Sequence, residues 1–252
     1  MENATIIARA AAEAGVLVAQ AAAVARLLGE GSTIPFIARY RKEAHGNLDE
    51  VAITKIRDRL AYHTELEERR ATILKSIEEQ GKLTDELREK IEAATVKSAL
   101  EDLYQPYKPK RRTRAMIAKE KGLEPLADAI WENRATAAEL AALPAEDLQG
   151  ARDIMAERIA DNAEVRGLVR QAFMKKSTLK SEAAPGKDKE PTKFEQYYDF
   201  AEPLAGMPSH RFLAIQRGQK EGALWARLEV DSAPLLVDIA KIVDAPESGP
   251  AA

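Results

Sequence analysis

The sequence predicts a mainly α protein: an elongated multi-helix bundle with a helix-turn-helix-like start, one long spine helix and a small β element near the C-terminus. Aromatic residues are only 5% of the 252, and Ala, Leu, Glu, Lys and Arg abound, the residues that lose least on entering a helix. Alternation of apolar and polar residues with period two is rare before residue 177. Capping signals also recur along the same stretch, each placing Ser, Thr, Asp or Asn ahead of an apolar run.

Two short helices open the chain, at 4–14 before Gly15 and 17–28 before Gly29, anchored by Ile6, Ile7, Val24, Leu27 and Leu28. Ser32 and Thr33 offer a cap for a third at 34–42, and Pro35 fits its first turn, where no N–H is needed. Asn47, with Glu50 at capping-box spacing, opens a helix that runs to Gln80. At 1.5 Å per residue it is about 50 Å long, a spine linking separate lobes, with Ile56, Leu60, Leu74 and Ile77 on one stripe and Glu65 placed to pair with Arg69. Thr84 caps 85–94, and Ser98 with Glu101 forms a second capping box that opens only a short helix. Pro106 and Pro109 then forbid helix, so QPYKPKRRT is an exposed, extended loop. Thr113 caps a helix ending at Gly122, 123–131 follows, and two helices cover 146–160 and 163–175, the last with Asp161 and Glu164 at capping spacing.

From Ser177 the pattern changes. STLKS alternates weakly, Leu224, Ala226, Leu228 and Val230 alternate with Trp225, Arg227 and Glu229, and a small sheet is predicted, with Trp225 exposed on the face away from the leucines. Helical stretches are expected at 194–200 and 209–217. The expected segments are therefore 1–46, 47–176, 177–235 and 236–252, the last a helix start with a frayed tail.

A hydrophobic fraction of 45% can fill a core. With 38 Lys and Arg against 41 Asp and Glu, the net charge of -3 gives no global attraction to phosphate, so any nucleic-acid affinity must be local. The first residues lack the basic stretch and apolar run of a secretory signal, and no apolar run approaches the roughly 20 residues of a membrane-spanning helix, so a cytoplasmic protein with no membrane partner is expected.

There is no cysteine and there are three histidines. His63 falls on the apolar stripe of the long helix as a core residue, while His45 and His210 lack a second ligand one turn away, so no metal or other cofactor is expected. The nucleophile-elbow, zinc-protease and phosphate-loop motifs are absent, and no catalytic residues are assigned: a non-enzyme is expected.

Local charge is the distinctive feature. Lys108, Lys110, Arg111, Arg112, Arg114, Lys119 and Lys121 cluster against the single acid Glu120, with Tyr104 and Tyr107 at their edge. Cations for phosphate oxygens and rings for unpaired bases are what single-strand binders combine. Arg39, Arg41 and Lys42 form a second, smaller cluster. Both could equally be solvated surface, with the tyrosines packed inward.

The stretches PFIARYRKEAHGNLDE, SIEEQGKLTDELR, LEDLYQPYKPKRRTRAMIAKEKGLEPLA, KKSTLKSE, KFEQYYDFAEPL and PSHRFLAIQRGQKEG follow one another from about Ile6 to Val230. Together they resemble the amino-terminal region of the Tex family of bacterial transcription accessory proteins. The resemblance implies a helical protein that binds nucleic acid, RNA or DNA, in transcription or RNA metabolism, and that is related to the core of a eukaryotic elongation factor. Longer members continue into an RNase-H-like domain not regarded as an active nuclease, a helix-hairpin-helix segment and an RNA-binding OB-fold, so the chain is expected to be an amino-terminal part. The segment PYKPKRRT could bind nucleic acid without sequence preference, or it could dock the downstream domains or RNA polymerase.

Overall fold

The computed structural model describes residues 2–109, 111–187 and 192–245. It is mainly α, with fourteen α-helices and three strands among those residues. The chain divides into two compact units, Met1–Tyr104 and Gln105–Ala252.

The first unit contains α1 (Glu2–Ala14), α2 (Val18–Gly29), α3 (Ile34–Tyr40), α4 (Lys42–His45), α5 (Glu50–Glu79), α6 (Asp85–Ala93) and α7 (Lys97–Tyr104). Gly15, at φ 73°, ends α1, and α2 leaves at 113° to it. The spine helix α5 lies wholly within this unit and carries two cores along one stripe. Its first half buries Ile53 and Ile56 against Ala11, Ala21, Val24, Leu27 and Ile37. Its second half buries Leu66, Ile73 and Ile77, and α6 and α7, which pack on it, bury Ile91 and Leu100.

Four local expectations change here. The third helix breaks at Arg41 (φ -129°) and restarts as α4. Asn47 does not cap α5: it sits at φ 63°, the left-handed region that Asn tolerates, and Asp49 Oδ1 instead accepts the Ala52 N–H at 2.7 Å. Ser98 lies inside α7 and Glu101 is bound by Arg69, at 2.5 and 3.1 Å, so neither forms a capping box. Glu65 consequently pairs with Lys97, not with Arg69.

The second unit begins with a 3-10 turn, Gln105–Tyr107, followed by α8 (Arg114–Glu120), α9 (Glu124–Trp131), α10 (Ala137–Ala141), α11 (Ala145–Asp161) and α12 (Ala163–Lys176). Ala115, Ala118, Ala127, Ile130, Ala151 and Ile154 form its helical core. The sequence reading did not contain α10, and α12 is capped by Asn162 rather than Asp161.

The chain then forms β1 (Thr178–Ala183), β2 (Asp199–Pro203), α13 (Ser209–Lys220), β3 (Leu224–Glu229) and α14 (Ser232–Ile242). The sheet is antiparallel in the order β2-β1-β3. Residues 194–200 are not a helix but a 3-10 turn, Glu195–Tyr197, running into β2. Phe194 and Tyr197 are buried with Leu179, Ile215 and Leu224, and Phe200 pairs with Ser181 of β1. Burying aromatic residues beside a paired strand outweighs the local helical pattern. Trp225 is 59% exposed on the outer face, as expected, while Leu228 on the inner face is also 40% exposed.

Candidate nucleic-acid interface

The basic segment follows the 3-10 turn with a bend at Lys108 and no regular structure at Pro109, and it is anchored at Thr113. The Thr113 hydroxyl accepts the Met116 N–H at 3.1 Å and donates to Glu157 at 3.0 Å, which fixes where α8 begins. Lys108 and Arg111 are exposed, and Arg111 has no ion-pair partner among the described residues. Arg112 reaches Glu120 at 2.5 Å, and Arg114, its side chain 82% exposed, lies 3.4 Å from Asp153. The Arg112–Glu120 pair, exposed on both sides, contributes little, whereas Asp153 is only 14% exposed. Lys110 lies outside the described residues.

Tyr104 corrects the expectation of a stacking ring. It is only 7% exposed, its hydroxyl is 3.0 Å from Ser76 Oγ, and the Arg69 guanidinium stands 5.4 Å from its ring centre. That guanidinium is held above its ordinary pKa by its hydrogen bond to Glu101, against the opposing effect of burial. Tyr104 is therefore a core anchor of α7 on α5. Tyr107 is half-buried.

The second cluster gains from structure what the first loses. Ile37 and Ala38 are buried, which turns the other side of the short helix α3 outward. There Phe36 and Tyr40, 39% and 64% exposed, sit one helical turn apart with ring centres 5.4 Å from each other. The Arg41 guanidinium lies 5.0 Å from the Phe36 ring centre, and Lys42 is exposed with no ion-pair partner among the described residues. Arg39 is 3.5 Å from Glu50 in an exposed pair. Two exposed rings beside three cations form a surface on which unpaired bases can stack while phosphates meet charge. The sequence reading named the cations and missed the rings, whose signal was their i, i+4 spacing.

The turn that carries this surface is held by a buried histidine. His45 is fully buried, with Nε2 donating to the Ile37 carbonyl at 2.9 Å and Nδ1 accepting the Leu48 N–H at 3.1 Å. His63 is also buried, 3.0 Å from Glu13. Both rings thus serve packing. Among the described residues no single helix is long and apolar enough to cross a membrane.

Comparison with known proteins supplies the class. Residues 4–78 match the Tex-like protein N-terminal domain, and residues 123–243 match the Tex central region-like family. The chain is 50% identical over 211 residues to the transcriptional accessory protein Tex of Neisseria gonorrhoeae, which covers 80% of this chain and 28% of that protein. It is 49% identical over 223 residues to protein YhgF of Escherichia coli, covering 84% of this chain and 29% of that protein. A more distant relative is the human S1 RNA-binding domain-containing protein 1, 26% identical over 223 residues, 82% of this chain and 22% of that protein.

The chain belongs to the Tex family and spans under a third of the length of these curated relatives.

Proposed function

We propose that this part of a Tex-family protein is a binding element, not an enzyme, that holds single-stranded nucleic acid, RNA before DNA, without sequence preference. The observation that carries the reading is the α3 surface, where Phe36 and Tyr40 stand exposed within 5.4 Å of each other beside Arg39, Arg41 and Lys42. Backbone phosphate contacts supply salt-dependent affinity and carry no base information, while stacking tolerates any base. The names of the relatives, a transcriptional accessory protein and an RNA-binding-domain protein, agree with this role.

The test is fluorescence anisotropy with a short labelled homopolymer RNA. Replacing Phe36 and Tyr40 with alanine should weaken binding about tenfold or more, since each stacked base contributes on the order of 1–3 kcal/mol. Reversing Arg39 and Arg41 to glutamate should flatten a salt slope of roughly -2, the value for about three phosphates of a single strand. Unchanged affinity and slope in both variants would sink the proposal.

A second reading holds for the segment at 108–114. Arg112 and Arg114 already face Glu120 and Asp153, an arrangement suited to docking a protein surface, such as further domains of a longer chain or RNA polymerase. If Arg111→Glu with Arg112→Glu leaves RNA affinity intact while the α3 variants lose it, docking is the better account of that segment.

A further inference from the structure

The outer face of the three-stranded sheet has a different chemistry from either basic cluster. Burial alternates along β1, with Leu179 and Ser181 inside, so Lys180 and Glu182 face outward. The register then sets Asp199, Glu182 and Trp225 side by side, one from each strand, as directly opposed residues. Opposed positions on one face bring Cβ atoms to about 4.5–5.5 Å, close enough for one guest to touch all three side chains. A cleft of about 660 Å³ lies over this row, with Ala201 and Ala226 among its lining residues.

The charges around the cleft leave one carboxylate in surplus, which favours a cation as guest. Both cations of the neighbouring row are already engaged: Lys180 is 2.6 Å from Glu229, and Arg227 is 3.1 Å from Glu182 and 2.7 Å from Glu229. Asp199 is exposed and has no partner among the described residues, and the Glu182 carboxylate keeps acceptor capacity beyond its single bond to Arg227. Beside these two carboxylates stands an exposed indole, the ring that attracts a cation most strongly. Glu182 shares its charge with Arg227, so Asp199 is the carboxylate of this row that has no cation beside it among the described residues.

We propose that this sheet face docks an extended, basic peptide segment of a protein partner, with an arginine or lysine head seated on the Asp199–Glu182–Trp225 row. The cleft exceeds the volume of one guanidinium, so the residues flanking that head occupy the rest over Ala201. The surface is thus distinct in both place and ligand from the nucleic-acid face on α3, and the two can be tested separately.

The probe is a blocked serine-rich peptide with one central arginine, compared with the same peptide carrying uncharged, isosteric citrulline. Trp131→Phe leaves Trp225 as the single tryptophan, excited selectively at its red edge, and its indole N–H resonance gives a second readout. The arginine peptide should shift both signals saturably at millimolar concentration, and citrulline should not. The isosteric variants Asp199→Asn and Glu182→Gln, combined, should weaken binding about tenfold, as loss of two charge contacts implies. Trp225→Phe should retain weaker binding, followed through backbone amide shifts of β1. Equal shifts with arginine and citrulline, no shift with either, or a shift of Trp225 by oligouridylate larger than that by the arginine peptide would each overturn the proposal.

Discussion

Arg70 shows how one side chain joins elements distant in sequence. It is 8% exposed, pairs with Glu67 one turn back, and its Nη2 donates at 2.6 Å to the carbonyl of Ala94 just past the end of α6. Arg70→Ala would strand that carbonyl. Glu67, however, keeps Arg9 at 3.1 Å, so it is not left uncompensated. The cost should be about 3 kcal/mol, at the lower end for breaking a buried pair, and chemical denaturation will measure it. A loss below about 1 kcal/mol would mean that the guanidinium is not the bridge. The same long-range contacts explain which site residues were legible. Arg39, Arg41, Lys42 and Arg111 are visible as charge in the sequence. The burial of Tyr104 is not, because it depends on Ser76 and Arg69 from another helix.

Among elements, α13 is fitted to the sheet by an absent side chain. A Cβ on Gly218 would lie 2.5 Å from Leu224 Cδ1, 2.8 Å from its Cγ and 3.2 Å from Phe194 Cδ1. Helix propensity favours alanine there by about 1 kcal/mol, but overpacking a buried contact costs about 1–3 kcal/mol. Leu224 is 1% exposed with little room to move, so Gly218→Ala should destabilise the protein on balance. A raised melting temperature would show that Leu224 can yield. At the start of α10, the Thr136 backbone N–H and then its hydroxyl hold the Glu139 carboxyl below its ordinary 4.5. A lowered folded value means that the cap is fully present above the unfolded pKa and is lost as pH falls through the folded one. The Thr136 amide resonance should therefore titrate with a midpoint below 4.5, and one at or above 4.5 would contradict the cap. Caps also mark the limit of reading elements from sequence. Thr84 and Thr113 cap as their spacing predicts, whereas Asn47 and Asp161 satisfy the same rule near Asp49 and Asn162, which make the capping bonds. Spacing locates a helix start to within a turn, and packing selects the residue.

For the whole molecule, the mainly α class and the late sheet followed from helical periodicity and from alternation after residue 177. Their grouping did not, since a 30-residue helix fits a linker as well as a core, and only the burial of both its halves places α5 inside one unit. Each unit has its own buried cluster, Ile53 and Ile56 in the first, Ala127 and Ile154 in the second. The exposed basic segment just beyond residue 104 therefore has a meaning unrelated to any ligand, because it offers Arg111 and Arg112 to trypsin beside the boundary of two self-contained cores. The Lys108–Pro109 bond resists the enzyme, so brief digestion should cut after Lys110, Arg111 or Arg112 and leave an amino-terminal fragment that still melts cooperatively. Intact-mass analysis of the nicked sample reads the cut, and first cleavage inside α5 would show that the spine, not the loop, is where this chain opens.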